Sequence, residues 1–235
     1  MKDFFLLLVF CCTFTLCAQT VPPVPPAQDS LIPDPDYLED QFYVGLAYNI
    51  LLNKPEGVKQ RNLSYGLQGG FIKDIPLNLK RNVAIGIGLG YAVNSYYSNL
   101  RATENAEDFN YEVIPDNFSY KRNKIETHLI ELPLELRLRN SDPVDYKFWR
   151  FYGGIKLGYV VGSRSKIVTK DFKDSFYNTD TDNFRYGLMV NLGYNTFNIH
   201  AYYALNTLFE PGKASVNGEE IGMTPLRIGL IFYIL

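Results

Sequence analysis

Hydrophobic and polar residues alternate along this chain with the repeat of two residues that a β-strand produces. The clearest case is the stretch 130–138, which reads IELPLELRL. One face carries an isoleucine and four leucines, and the other carries Glu131, Pro133, Glu135 and Arg137. Two structures fit this alternation. The leucines face either the core of a water-soluble sheet or the lipid around a barrel with a charged lumen.

The same alternation recurs in eight runs. They are Gln41–Leu52, Leu63–Phe71, Val83–Val93, Ile130–Leu138, Trp149–Val161, Phe184–Tyr194, Ile199–Leu205 and Leu226–Ile234. Most have the ~9–11 residues that a tilted transmembrane strand needs. An even number of strands is typical of single-chain bacterial barrels. The sequence therefore predicts an all-β fold over residues 41–235, an eight-stranded antiparallel up-and-down transmembrane β-barrel of the smallest outer-membrane size.

The connections between these runs alternate in length. The long ones are Asn53–Asn62, Ser95–Lys124, Ser163–Asp182 and Phe209–Thr224, and the tightest short one is Asn195-Thr196. Outer-membrane barrels have short periplasmic turns and long outer loops. The pattern predicts an outer-membrane protein with both termini in the periplasm.

The face opposite the large apolar residues consists of glycine, alanine, asparagine and a few charged residues, which suit a narrow interior. An apolar surface of this extent cannot face water, so we expect it to face lipid. In this orientation the charged residues that point into the lumen are Glu131, Glu135, Arg137, Arg150, Lys156, Arg185 and Arg227. Unpaired buried charges are costly, so we expect a salt-bridge network that plugs the barrel, with a water-filled pore as the alternative. Pro133 lacks an N–H for the ladder, and we expect a bulge or weakened pairing there.

The N-terminus has the pattern of an export signal. Lys2 precedes the apolar run 4–12, and Ala18 offers a cleavage point, which predicts a signal peptide over residues 1–18. All three cysteines lie inside it, so the mature chain is expected to have no disulfide and no cysteine chemistry. Residues 19–40 are proline-rich and predict an extended periplasmic leader, with a docking segment as the alternative.

Candidate chemistry is sparse. The formal net charge is −2, which gives no reason to expect a nucleic-acid partner. His128 falls near the start of the fourth run and His200 on the inner face of the seventh, and no spacing ties Asp108, Asp116, Asp180 or Ser163 to His128. The acidic loop residues Asp171, Asp174, Asp180 and Asp182 match no calcium-loop spacing. We expect no catalytic site, no metal and no cofactor.

Two segments carry a more specific indication, IELPLEL at 130–136 and YKFWR at 146–150. With them the chain resembles the PorT family of outer-membrane β-barrel proteins. The resemblance implies a non-enzymatic barrel that takes part in type IX secretion and gliding, with other secretion components as candidate partners. Further expected partners are outer-membrane lipid and the assembly machinery that reads the C-terminal strand. A stand-alone structural or adhesive barrel, or a narrow porin, is the alternative.

Overall fold

The eight alternating runs form eight long strands in a computed structural model that describes residues 41–78, 80–105, 108–140, 149–194 and 197–234. Five short strands lie in the loops. The strands are β1 Gln41–Leu52, β2 Tyr65–Pro76, β3 Val83–Tyr97, β4 Leu100–Glu104, β5 Phe109–Val113, β6 Arg122–Arg139, β7 Trp149–Val168, β8 Lys173–Tyr177, β9 Phe184–Tyr194, β10 Phe197–Ala204, β11 Ser215–Val216, β12 Glu219–Glu220 and β13 Thr224–Ile234. The expected signal peptide and leader, the tight turn at 195–196 and residues 146–148 lie outside the described residues.

The eight long strands close into a barrel. Each pairs antiparallel with its neighbours in the order β1, β2, β3, β6, β7, β9, β10, β13, and β13 pairs back onto β1. Closure satisfies the backbone groups that an open sheet edge leaves unpaired. The predicted eight-stranded antiparallel barrel is confirmed. No helix in the described ranges is long and apolar enough to cross a membrane.

The large apolar side chains point outward. In β9 every second residue is exposed, beginning with Phe184, and the residues between them are buried. Leu46 and Leu188 are half exposed, whereas Arg137 and Tyr152 on the inner face are fully buried. The predicted arrangement, apolar outside and polar inside, is therefore the arrangement of the fold.

Pro133 weakens one ladder without a bulge. The pairs between β3 and β6 skip Leu132 and Pro133 and resume in the same register on both sides. A Cβ added to Gly88 would lie 2.8 Å from the Pro133 ring, so this glycine lets the ring approach. The register shift of β6 lies elsewhere, between His128 and Leu129, opposite the extra residue Val161 of β7. The missing proline N–H explains the gap.

The barrel has two different ends. At the loop end β1 ends and β2 begins, and the long connections lie there. At the turn end the described chain starts and finishes, and the short connections lie there. The hairpins β4–β5 and β11–β12 form within the long connections, and β8 folds back onto the extension of β7. These connections also carry apolar residues of a core described below.

Candidate functional site

An ion triad crosses the middle of the lumen. Glu131 on β6 accepts a hydrogen bond of 2.8 Å from the Arg227 guanidinium on β13 and lies 3.2 Å from the Lys156 ammonium on β7. Since β6 and β13 are four strands apart in a ring of eight, the first of these contacts spans the lumen. Lys156 also donates to the side-chain oxygen of Gln68 on β2, at 2.7 Å. We call Glu131, Lys156 and Arg227 the ion triad.

Aromatic and amide groups pack around the ion triad. The Arg227 guanidinium lies 3.9 Å from the centre of the Tyr202 ring, and the Lys156 ammonium lies 5.7 Å from it. A ring face attracts a cation, and the attraction grows where water is excluded. His200 Nδ1 lies 2.5 Å from the Asn191 side-chain oxygen. These residues fill space that a conducting pore would leave to water.

A second ionic cluster closes the turn end. The Arg137 guanidinium donates to Glu135 at 2.9 Å and to Asp74 on β2 at 3.1 Å, and it lies 3.3 Å from the Gln41 side-chain oxygen. Arg139 pairs with the same Asp74 at 2.8 Å. All four charged side chains are almost fully buried. We call Asp74, Glu135, Arg137 and Arg139 the turn-end cluster.

The two clusters nearly balance in charge. The ion triad and the turn-end cluster contain three carboxylates and four cations, a sum of +1. Buried charge is tolerated when each ion has a partner and further hydrogen bonds, and removal of one partner is costly. The paired charges of the two clusters therefore connect strands from different sides of the barrel.

The structure brings together only part of the expected set of lumen charges. Glu131 meets Lys156 and Arg227, as expected, but Glu135 pairs with Arg137 on its own strand rather than across the lumen. The geometry of a strand explains this, since residues two apart on one face are close enough for long side chains to meet.

Arg185 lies at the loop end and Arg150 at the turn end. Arg185 donates to the backbone oxygens of Thr207 and Leu208 (3.2 Å for the latter) at the loop end, and so caps a loop instead of a carboxylate. Arg150 is half-buried at the turn end, in register with Arg139.

Sequence reasoning missed Asp74, the carboxylate that joins β2 to the turn-end cluster. The second run was expected to end at Phe71, yet β2 continues to Pro76. The missed signal is the continued alternation, in which Ile72 and Asp74 are buried while Lys73 and Ile75 are exposed. A charged pair, Lys73-Asp74, resembles a turn when neighbouring strands are ignored.

A hydrophobic core covers the lumen at the loop end. It joins inner-face residues of the barrel to residues of the long connections. Its buried members are Leu51, Val58, Tyr96, Leu100, Ala102, Tyr111, Ile125, Phe176, Leu208, Phe209, Ala214, Val216, Ile221 and Met223. We call this core and the connections that form it the cap. It packs the loops as a folded unit instead of leaving them solvated.

Polar contacts fix the cap between β5 and the connection after β8. The Tyr111 hydroxyl donates to an Asp180 carboxylate oxygen at 2.9 Å and accepts from the Asn178 amide at 3.0 Å. Asn178 also donates to Ser165 on β7, at 2.9 Å. Burial raises the pKa of the Tyr111 hydroxyl, and partial burial raises the pKa of Asp180. Asp180, considered above as an acidic loop residue, is therefore a structural acceptor.

The remaining candidate groups show little chemistry. His128 lies on the outer face with Nδ1 2.7 Å from the Tyr91 hydroxyl, and its Nε2 is 3.8 Å from Glu126. Within the described ranges, no group of three or more His, Cys, Asp or Glu side chains is placed to hold a metal ion. The arrangement places paired charges in the lumen and a hydrophobic core at the loop end.

The family comparison agrees with the barrel. The pattern of one family, described as outer membrane protein beta-barrel domain, matches residues 18–210. The crystal structure of Ail, the attachment invasion locus protein of Yersinia pestis, is similar at 11% identity over 83% of this chain and 97% of that one, with a TM-score of 0.33. A mutant porin of Rh. blastica is similar at 10% identity over 84% and 100%, with a TM-score of 0.16. No curated protein matches the chain.

Proposed function

This chain belongs to the outer membrane protein β-barrel domain family, and on that premise we propose that it is a non-enzymatic barrel closed by its own side chains. In this proposal the barrel anchors the cap at the cell surface, and the cap is the surface that other molecules meet. Both termini face the periplasm, because the short connections and the described chain ends share the turn end.

The observation that carries the proposal is the position of Glu131 between Lys156 and Arg227. Its carboxylate bridges side chains from β7 and β13, at 3.2 and 2.8 Å. The turn-end cluster lies on one side of this triad and the cap on the other. Ions crossing the barrel would have to break paired charges in the first two layers and separate packed apolar side chains in the third.

Conductance tests the closed lumen. The purified protein, reconstituted in planar bilayers, is expected to give no stable single-channel steps, because each layer excludes a hydrated ion. A porin reconstituted in the same membranes controls for insertion and detection. Stable large openings of the wild-type protein would show that the lumen is a pore and would overturn the proposal.

Surface labelling tests the orientation. The matched positions are Lys213 in the connection before β11 and Lys80 in the turn between β2 and β3, both exposed. Cysteine at residue 213 is expected to react with a membrane-impermeant maleimide on intact cells, and cysteine at residue 80 only after the outer membrane is permeabilised. The reverse pattern would place the cap in the periplasm.

A second candidate function is that of an accessory component of type IX secretion, as the PorT resemblance implies. The observation that favours it is local. The segment 130–136, which carries the resemblance, also supplies Glu131 and Glu135 to the two ionic clusters. In this role the partners are other secretion components, and the barrel holds them at the membrane. Outer-membrane lipid and the barrel assembly machinery are partners in either role.

A deletion strain separates the two candidates. Loss of surface delivery of cargo proteins, restored by the wild-type gene, supports the secretion role. Normal secretion with altered attachment or envelope integrity supports a stand-alone barrel with an exposed cap. A complementary test uses a variant in which exposed cap residues are replaced. A barrel with a purely structural role is expected to keep its function in this variant.

A further inference from the structure

Five cations share the outer wall where β6, β7 and β8 extend beyond the apolar surface of the barrel. They are Arg122, Lys124, Arg164, Lys166 and Lys173. Residues two apart on a strand share a face, and the intervening residues, such as Ile125 and Ser165, are buried. We call these five residues the basic wall.

Strand register places like charges side by side in the basic wall. Lys124 is directly opposite Lys166 across the β6–β7 ladder, and Lys173 is opposite Val168 on the same face, two residues along from Lys166. Like charges directly opposite each other destabilise a sheet. Binding of an anion to this face would therefore stabilise the folded protein.

Among the side chains of β6, β7 and β8, one carboxylate is on this face, Glu126. It is already engaged, since it accepts hydrogen bonds from Lys124 and from Ser95 (2.7 Å for the latter). Asp174 of β8 is opposite Ile167, whose side chain is buried, so Asp174 belongs to the other face. The carboxylates of these three strands therefore leave most of the charge of the basic wall uncompensated.

The lower edge of the basic wall, at Arg164, lies at the height of the headgroup layer. The exposed apolar residues of β7 end at Tyr159 and Val161, and Tyr159 packs against Phe184 with ring centres 5.4 Å apart, as in an aromatic girdle. Arg164 follows Val161 by three residues, a distance of ~10 Å along the strand. With a strand tilt of ~40° this is ~8 Å above the apolar band, and headgroups extend ~5–8 Å from the hydrocarbon. Long basic side chains can also reach back toward the bilayer.

We propose that the basic wall binds phosphate groups of the lipid headgroups that surround the loop end of the barrel. Arginine and lysine clusters beside a membrane attract anionic headgroups, and arginine can hold a phosphate through two parallel hydrogen bonds. Arg164 is held over the Tyr177 ring at 5.0 Å, which orients its guanidinium along the wall. The residues that flank β9 and β10 at the same end, Asp182 and Asn206, offer no such charge.

Lipid binding by the purified full-length barrel tests this proposal. The protein is equilibrated in mixed micelles with a bisphosphorylated lipid A and, separately, with the same lipid lacking its phosphates, and the retained lipid is measured by native mass spectrometry. The test variant is Arg164→Gln with Lys166→Gln. The matched control, Lys59→Gln with Lys213→Gln, removes two exposed cations from other connections.

The expected result is selective retention of the phosphorylated lipid, reduced about 25-fold in the test variant, roughly fivefold for each cation. The control is expected to retain wild-type affinity, and millimolar inorganic phosphate should not displace the lipid. Equal retention by the test variant, or equal retention of the lipid without phosphates, would overturn the proposal. Displacement by inorganic phosphate would also overturn it, because the site would then be a free-anion site. Heat-modifiable electrophoretic mobility verifies that each variant is folded. The outcome of the lipid-binding test is independent of whether the lumen conducts ions.

Discussion

The carboxylate of Glu131 on β6 accepts a 2.8 Å hydrogen bond from Arg227 on β13, the strand at the opposite side of the ring. The two residues are 96 positions apart in the chain. Such a contact forms only after the barrel has closed, because β13 must first pair with β1. The Glu131–Arg227 contact is therefore both a marker of barrel closure and an interaction that stabilises the closed state.

Removal of one partner should be costly. Arg227→Met leaves Glu131 with Lys156 alone in a buried site, and we expect the free energy of unfolding to fall by about 3–5 kcal/mol. Urea unfolding in detergent micelles measures it. The control is Arg101→Met, which removes a more exposed pair with Glu112 and should cost less than about 1 kcal/mol. Equal losses at the two positions would show that the Glu131–Arg227 pair contributes no more than a surface pair.

Replacement of the whole ion triad should be far milder than the single change. With Glu131, Lys156 and Arg227 all changed to Met, no charge is left unpaired, and we expect stability between wild type and about 4 kcal/mol above it. The same unfolding assay compares it with Arg227→Met. Planar-bilayer recordings of this variant should still show no stable channel, because apolar side chains fill the space. A triple variant as unstable as the single one would mean that the triad is needed as ions.

Replacement of an inner-face glycine by alanine should destabilise the barrel where the glycine faces a neighbouring side chain. A Cβ added to Gly90 would lie 2.0 Å from the Tyr43 hydroxyl oxygen. We expect Gly90→Ala to cost about 1–3 kcal/mol through overpacking. Adding Tyr43→Phe should restore part of the loss, a coupling that a double-mutant cycle measures. Gly162→Ala is the control, since nothing lies within 4 Å of the added Cβ. Purely additive changes would exclude this contact as the cause.

The cap is expected to loosen without opening the barrel. Leu208 and Phe209 are 0% and 1% exposed in the cap core. We expect Leu208→Ala to cost about 2–5 kcal/mol within the cap, the usual range for a buried leucine. Limited proteolysis should cut the connections around 98–121 and 205–223 faster, while heat-modifiable mobility still reports a closed barrel. The control, Phe118→Ala, changes an exposed aromatic residue and should leave the cutting rate unchanged. Unchanged proteolysis of Leu208→Ala would show that the cap does not depend on this core.

The turn-end cluster illustrates why part of the site escaped sequence reasoning. Glu135 and Arg137 were expected as lumen charges because they alternate with leucine in a long run. Asp74 was missed because it follows Lys73 at the end of a glycine-rich stretch, where a local pattern suggests a turn. Its membership in a strand depends on pairing with Gly86 of β3, a partner that no local pattern contains. The cap escaped for the same reason, since its apolar residues come from several strands and connections that meet only in the folded structure.

The sequence by itself determined the number of long strands and their antiparallel order through the alternation of residues, and it determined which face meets lipid through the small residues of the opposite face. It could do so because side-chain direction in a strand has a fixed period of two. Only the tertiary structure decided which charges meet. Arg227 reaches Glu131 across the lumen, Arg137 reaches Asp74 two strands away, and Arg185 caps a loop. Those contacts depend on strand register and on the curvature of a closed ring, and both exist only once the barrel has formed.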